Sequence, residues 1–317
     1  MGYLMYHIIV NPSAKSGKAA KQWKQLKAAL DTDKVTYILH LTKSGKDATA
    51  YTRSITDRSI CEKNPSIIHR IIVLGGDGTL NCVINGIDDI AHTQITYLPA
   101  GTSNDFAKAM HFSTNPFQAI TALSMNGNSR PCDIGIAKLG NREKRFHVSC
   151  GIGYDAAICA EADLTPAKKL LNRLGLGKLI YVTVALKQLK NLTPVTCDLI
   201  LDDKQTIHIQ NFYFATAMQQ PYEGGGFMFC PKANAQDGLL DLCVFGDIKK
   251  LYALSLFPLA TKGSHIGKKG VRYFRCRHAR IVLSEPAFVH TDGEVHGKYK
   301  EISVGTHEIP LTFRTES

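Results

Sequence analysis

The chain has 317 residues, 44% of them hydrophobic and 21% charged, a composition that excludes a disordered chain, a collagen and a coiled coil. Its length suits about two domains at roughly 150 residues each. Lys and Arg number 38 against 27 Asp and Glu, a formal net charge of +11. That charge suits an anionic partner without choosing between nucleic acid, a membrane surface and a phosphorylated ligand.

Strands and helices alternate through the first half. Tyr6 to Val10 is expected as a buried strand ending in Asn11-Pro12-Ser13. Ser16 to Leu30 has helical spacing, with Trp23, Leu26 and Leu30 on one face. Val35 to His40 is a second strand and Asp47 to Ser54 a helix. Arg70 to Leu74 is a third strand running into Gly75-Gly76-Asp77-Gly78-Thr79, before a helix over Leu80 to Ile87. Ile95 to Leu98 is a fourth, ending in Pro99-Ala100-Gly101-Thr102-Ser103-Asn104-Asp105 with another helix after it. This alternation predicts a parallel sheet covered on both faces, with ligands at the carboxyl ends of its strands.

From Cys132 onward short strand-like runs dominate: Cys132 to Lys138, Arg145 to Cys150, Val195 to Leu201, Thr206 to Met218, Leu239 to Phe245, Val271 to Leu283, Ile302 to Val304 and Ile309 to Phe313. Helical stretches interrupt them near Pro166 to Lys190 and Ile248 to Leu259. The pattern predicts an antiparallel sandwich or barrel. The domain boundary is placed near residue 131, where Asn126-Gly127-Asn128-Ser129-Arg130-Pro131 breaks the pattern.

Nine cysteines with no C-x-x-C pair read as free cytosolic thiols, not as a disulfide or zinc framework. Tyr3 to Val10 is too short and lacks the basic flank of a signal peptide. The longest apolar run, Leu251 to Ala260, holds Pro258 and falls far short of the roughly 20 residues that span a bilayer.

Three loops look suited to phosphate. The glycines of Gly75 to Thr79 leave backbone N–H groups open to phosphate oxygens, and the following helix adds the positive end of its dipole. Asp77 is foreign to a pure anion cradle and fits a role in holding a Mg²⁺-bound water or polarising a catalytic group. Asn11, Pro12, Ser13, Ser16, Gly17 and Lys18 form a second such loop, and Thr102, Ser103 and Asn104 a third. No Walker A, zinc-protease or hydrolase nucleophile motif occurs. Gly151-x-Gly153-x-x-Ala156 imitates a dinucleotide fingerprint but has no βαβ unit around it.

Taken in order, Asn11-Pro12 with Gly17-Lys18, Gly75-Gly76-Asp77-Gly78-Thr79-Leu80-Asn81 with Asn85-Gly86, Pro99-x-Gly101-Thr102-x-Asn104-Asp105, Asp237-Gly238 and Asp292-Gly293-Glu294 resemble the diacylglycerol kinase catalytic-domain family, which includes sphingosine kinases and related bacterial lipid kinases. The resemblance covers nearly the whole chain. It implies an N-terminal Rossmann-like α/β domain over residues 1–131, similar to those of NAD kinase and phosphofructokinase. It also implies a C-terminal antiparallel β-sandwich over 132–304, with the tail from about 305 to 317 packed back on the first domain. The implied reaction is ATP-dependent phosphorylation of a lipid hydroxyl with Mg²⁺.

By the same resemblance Glu294 is the general base, and Asp77 stands near metal and phosphates. Asn11, Pro12, Ser13, Ala14, Thr42, Gly75, Gly76, Asp77, Gly78, Thr79, Leu80, Asn81 and Thr102 match nucleotide-contacting positions. Asn234, Asp237 and Leu239 match a structural Mg²⁺ site, which Asp133 reaches through water; such oxygen ligation suits a hard cation. Two residues depart from the family pattern: Lys15 stands where relatives often have glycine, and Cys82 where diacylglycerol kinases usually have glutamate.

No acidic residue occurs between Asp247 and Glu285, an interval holding Lys249, Lys250, Lys262, Lys268, Lys269, Arg272, Arg275, Arg277 and Arg280. The expected partner is therefore an anionic membrane, visited by a cytoplasmic enzyme for its lipid; no nucleic-acid motif is present. An NAD kinase-like phosphotransferase and a non-catalytic binder of anionic membrane or nucleic acid are the alternatives. Leu174, Leu179, Ile180 and Val184 read as core. A homodimer and a monomer both fit the sequence, as do several glycerolipid or sphingoid acceptors.

Overall fold

The computed structural model describes residues 5–64, 66–117, 128–164, 184, 187–188 and 192–315. The chain divides into two compact units, Met1–Ile134 with Glu308–Ser317, and Gly135–His307. Sequence pattern placed that boundary at 131, where the chain is still inside a strand of the first unit.

The first unit carries strands β1 (Met5–Val10), β2 (Thr36–Leu41), β3 (His69–Gly75), β4 (Thr93–Pro99), β5 (Asn128–Cys132) and β15 (Leu311–Thr315) in one sheet of order β2-β1-β3-β4-β15-β5. All neighbours are parallel except β15 and β5. Strands β3 and β4 are buried along almost their whole length, as the near-continuous apolar run of a doubly covered parallel sheet requires. The covering helices are α1 (Lys18–Thr32), α2 (Gly45–Ile55), α3 (Arg58–Lys63), α4 (Asp77–Gly86) and α5 (Asp105–Ala109). Ser44 caps α2 by accepting from Asp47 N–H at 3.2 Å, and Asp57 caps α3 by accepting from Ser59 N–H at 2.9 Å. Helix α3 escapes a periodicity reading because six residues show too little of a 3.6-residue repeat.

The second unit contains β6 (Gly135–Leu139), β7 (Arg142–Phe146), β8 (Ser149–Gly153), α6 (Tyr154–Leu164), β9 (Val195–Leu201), β10 (Gln205–Met218), β11 (Leu240–Gly246), α7 (Lys250–Ala260), β12 (Val271–Cys276), β13 (His278–Thr291) and β14 (Glu294–Thr306). Every strand pair in it is antiparallel. The long strands β10 and β13 shift register between Phe212 and Phe214 and between Val282 and Ala287. Each therefore bends, pairing with β8 over one half and β9 over the other, which folds the strands around one core. A second core packs α7 on the sheet through Phe214, Phe245 and Phe257; the first two rings stack at 4.4 Å.

Several expected runs split. Cys132 to Lys138 becomes the end of β5 and β6, in different sheets, and Arg145 to Cys150 becomes β7 and β8. Val271 to Leu283 divides at Arg277, while Ile302 to Val304 is a fragment of the longer β14. Helix α6 was not foreseen. It follows β8 directly, but β8 lies in an antiparallel sheet, so Gly151 to Ala156 has no βαβ unit. The expected helix over Pro166 to Lys190, with Leu174, Leu179 and Ile180, lies almost wholly outside the described residues; Val184 is buried.

Strand β15 fills the first sheet between β4 and β5, with Leu311 and Phe313 fully buried. Phe313 meets the rings of Phe106 at 5.2 Å and Phe112 at 5.5 Å. Phe313→Ala is expected to destabilise the protein by about 3–5 kcal/mol, read as a lower midpoint in urea unfolding. An unchanged midpoint would show that β15 contributes little to the sheet.

Candidate functional site

The carboxyl ends of β1, β2, β3 and β4 face a cleft of about 410 Å³. Most of the expected nucleotide positions line it: Asn11, Ser13, Ala14, Thr42, Gly76, Gly78, Thr79 and Thr102. Pro12, Gly75, Asp77, Leu80 and Asn81 do not; Leu80 and Asn81 are buried on the inner face of α4. Hydrogen bonds hold the wall together. Asn11 N–H donates to Leu74 C=O at 3.0 Å, Asn11 Nδ2 to Thr79 Oγ1 at 3.1 Å, and Thr42 N–H to Val10 C=O at 2.9 Å.

The floor depends on a backbone contact. A Cβ on Gly101 would fall 2.6 Å from Gly76 Cα, so neither loop tolerates a side chain there. At Gly78 a Cβ would meet nothing within 4 Å. The protein's own packing therefore does not demand glycine at 78, while the first turn of α4 stays open to an anion. Asp77 braces the two loops: its Oδ2 accepts from Asp105 N–H at 3.1 Å. It also faces the Tyr97 hydroxyl, which burial first and the Asp77 charge second push well above its ordinary value.

Lys15 and Cys82 both line the cleft. Lys15 has φ 45°, the left-handed conformation that glycine adopts without penalty and that costs another residue roughly 1–2 kcal/mol. Glycine would adopt this backbone without strain; here the strained conformation brings a cation to the cleft wall. Cys82 Sγ packs against α2, where a Cβ on Gly45 would lie 2.8 Å away.

Glu294 belongs to the second unit. It is exposed, the first residue of β14, directly after a hairpin turn at Asp292 (φ 50°) and Gly293 (φ 82°). Two left-handed residues in succession make the turn that matches the twist of the flanking strands. The turn is anchored from behind. Asp292 accepts from the backbone N–H groups of His147, Val148 and Ser149 at 3.0, 2.9 and 2.9 Å, and pairs with His147 Nδ1 at 2.6 Å. Burial alone would raise the Asp292 carboxyl; the His147 ring and these N–H groups outweigh it and bring it down to about 2.

A second buried network supports the same turn. Gly293 N–H donates to His290 Nδ1 at 3.1 Å. His290 Nε2 lies 3.4 Å from Asp155 Oδ2 and 3.6 Å from Glu223 Oε1. Burial, then repulsion from Asp155, lifts the Glu223 carboxyl to about 7, although His290 pulls the other way. Neither network was found in the sequence, because its members come from β8, α6, β13 and the loop after β10. Only their burial together marks them.

The expected Mg²⁺ site has a different arrangement. Asp237 Oδ1 accepts from Leu239 N–H at 3.0 Å, and Oδ2 is held by the Arg275 guanidinium. Arg275 also reaches Asp241 at 3.5 Å. A cation at Asp237 would have to displace a guanidinium, so the donor set as arranged does not fit Mg²⁺. Asn234 is exposed in the same unit; Asp133 is a buried residue of the first.

The interval without acids is not acid-free in space. Arg272 pairs with Asp247 at 2.5 Å, Arg275 with Asp237, and Arg280 with Glu301 at 2.7 Å. Lys249, Lys262, Lys268 and Lys269 remain exposed beside the exposed Leu251, Tyr252 and Leu259 of α7. Among the described residues no helix is long and apolar enough to cross a membrane.

A parallel-sheet unit with an anion-ready cleft, joined to an antiparallel sandwich, defines the architecture shared by NAD kinases and lipid kinases. Residues 5–137 match the family model of the diacylglycerol kinase catalytic domain, and residues 148–306 match that of the YegS C-terminal NAD kinase beta sandwich-like domain. The chain belongs to the diacylglycerol kinase catalytic-domain family, and so to the ATP-dependent lipid kinases. It is 27% identical over 297 residues to YtlR of Bacillus subtilis (strain 168), put forward as a lipid kinase by its name, covering 92% of this chain and 94% of that one. It is 29% identical over 214 residues to a diacylglycerol kinase of Mycobacterium tuberculosis (strain CDC 1551 / Oshkosh), covering 67% and 66%. In fold it is similar to the crystal structure of a diacylglycerol kinase from Bacillus anthracis str. Sterne, with a TM-score of 0.69, 19% identity and coverage of 99% and 98%.

Asp292 gives this unit a distinct acid response. A carboxyl lowered to about 2 adds stability that is fully present above its unfolded value near 4 and is lost as pH falls through 2. Urea midpoints of the parent chain are expected to drop between about pH 4 and pH 2. Asp292→Asn is expected to be weaker by about 3 kcal/mol at neutral pH and to show a shallower drop. Parallel pH curves for the two proteins would contradict the assignment.

Proposed function

We propose that the protein transfers the γ-phosphoryl group of ATP to a lipid hydroxyl, with diacylglycerol or a related glycerolipid as acceptor. The observation that carries this reading is the cleft at the N-terminus of α4. There the open face of Gly78, the Thr79 hydroxyl and the Thr102 loop border one space on the carboxyl side of a parallel sheet. Backbone N–H groups at a helix start bind phosphates without needing a basic side chain. Lys15, at the rim, adds a charge to the same end of the nucleotide. Mg²⁺ entering with ATP offsets phosphate charge.

Glu294 is the proposed general base. Its exposed carboxylate at the start of β14 is free to approach a hydroxyl, while the buried Asp292 beneath it keeps the turn from moving. A base on a fixed turn retains its aim without ordering cost during each turnover. Glu294→Gln is expected to reduce phosphoryl transfer by at least a hundredfold while ATP binding, followed by a fluorescent nucleotide analogue, persists; a hundredfold is the lower end of the usual general-base contribution of about 10²–10⁴. Undiminished turnover would remove Glu294 from the role. Labelled ATP offered with extracted lipids and then with NAD identifies the acceptor, and phosphorylation of NAD alone would overturn the lipid assignment.

The lysines around α7 are proposed to hold the enzyme on anionic lipid, each contributing on the order of 1 kcal/mol near the surface, with Leu251 and Tyr252 as apolar contacts. Co-sedimentation at low salt is expected to favour phosphatidylglycerol vesicles over phosphatidylcholine ones, and Lys268→Glu with Lys269→Glu to remove the preference. Equal binding to both vesicle types would dismiss it.

A further inference from the structure

Two clusters of metal-ligating side chains occur among the described residues: Asp155, Glu223 and His290 in the second unit, and Cys61, Asp89 and His92 in the first. The former fails on its tautomer. Gly293 N–H occupies the lone pair of His290 Nδ1, so the neutral ring carries its proton at Nε2, the atom facing both carboxylates. A metal needs a lone pair there, and moving the proton to Nδ1 would set two donors against each other.

The Cys61 cluster differs: among the described residues no donor holds His92 Nε2, so the proton that His92 Nδ1 turns to Asp89 can move there and free Nδ1 for an ion. Its members sit at the amino end of the first sheet, opposite the cleft: Cys61 in α3, Asp89 and His92 in the connection from α4 to β4. His69, the first residue of β3, stands beside them with Nε2 at 3.2 Å from Cys61 Sγ. His92 Nδ1 lies 2.8 Å from Asp89 Oδ2, and the ligand atoms of Cys61, Asp89 and His92 all fall within 4.8 Å of one another. Ligands at about 2.0–2.3 Å from a tetrahedral ion stand roughly 3.3–3.6 Å apart, so small side-chain rotations close the set around one ion.

The scaffold holds these residues firmly. His69 N–H donates to His92 C=O at 2.8 Å, which fixes the two histidines side by side. Asp89 N–H donates to Thr56 C=O at 3.1 Å, and Thr93 Oγ1 to Asp89 C=O at 2.5 Å. Asp89 Oδ1 is engaged by His92 N–H at 3.3 Å, which leaves Oδ2 turned to the cluster.

Charge and softness select the ion. A thiolate and a carboxylate balance a dication, which suits a place where Cys61 is 3% and Asp89 6% exposed. Sulfur, imidazole and carboxylate together are the ligands of zinc; Mg²⁺ and Ca²⁺ prefer oxygen alone. A metal binds histidine as the neutral imidazole and cysteine as the thiolate.

We propose that Cys61, His69, Asp89 and His92 bind a structural zinc ion that pins α3 to the amino end of β3 and β4. Cys61 is the one buried side chain of this six-residue helix, so the ion would tie the helix down at its buried face. Binding releases the Cys61 thiol proton to solvent; Asp89 binds as a carboxylate and the histidines as neutral imidazoles, the His92 ring keeping its proton on the nitrogen away from the ion. Nothing is oxidised or reduced.

The test uses the full chain, stripped with chelator and titrated with Co²⁺ as a coloured substitute. The expected result is a thiolate-to-cobalt charge-transfer band that saturates at one equivalent, is bleached by Zn²⁺, and is accompanied by a rise in melting temperature with Zn²⁺. Cys61→Ser removes the band. So does His92→Gln, at a half-exposed position where the fold, checked by circular dichroism, is expected to survive. Absence of the band in the parent chain overturns the proposal, as does a band that persists in either variant. Lipid kinase turnover plays no part in these readouts.

Discussion

At the cleft, Gly76 and Gly101 touch backbone to backbone, and most of the surrounding geometry follows from that approach. Ala100 N–H donates to Gly75 C=O at 2.7 Å, extending the β3–β4 pairing one step past the strands. Asn104, left-handed at φ 49°, turns its Oδ1 back to accept from Gly101 N–H at 2.8 Å. Asp77 then ties the same loop from the other side. The loops use side chains to satisfy each other, which leaves the first turn of α4 for a ligand. A loop that closed by turning its own amides inward would have no such donors to offer.

The second unit solves a different problem, which is how to hold an exposed acid still. Strands present side chains alternately to the two faces, so a residue at the head of a strand is easily displaced by fraying. Here the preceding carboxylate is buried and saturated by donors from the β7–β8 connection, and the following glycine is tied to a buried imidazole. The cost of burying these charges is offset only because each has several partners; breaking one leaves the rest unpaired. The same logic disposes of part of the net positive charge. Three arginines of the acid-free interval answer carboxylates elsewhere in the sequence, so linear charge counting overstates the field at that surface.

Much of the first unit was legible because the signals are local. A buried parallel strand is a run of Ile, Val and Leu, and glycine-rich loops mark its carboxyl end. The cleft-lining positions Asn11, Thr42, Gly76, Thr79 and Thr102 were named from motif and family resemblance together. The helix start at Asp77 was placed three residues late, since glycines at a helix N-terminus read as loop. In the second unit the alternation identifies strands but not their bends, so β5 and β6 fused into one run, and β7 with β8. What stayed hidden is non-local. His147 and Asp292 are 145 residues apart, and Arg275 and Asp237 are 38 apart. The Cys61 cluster likewise lacks any metal-ligand spacing, since its donors come from three elements.

The place of β15 in the first sheet bears on the order in which the chain acquires its structure. Residues 135–307 form a unit of consecutive chain, complete in its strands once His307 has been made. The first unit begins earlier yet needs β15, which arrives after that whole unit, to join β4 to β5. During synthesis β4 is left with an open edge and β5 with no partner, an arrangement prone to pairing with other chains. The first unit thus starts before the second and is finished after it. No nascent chain that has yet to emit β15 has a completed sheet behind its cleft.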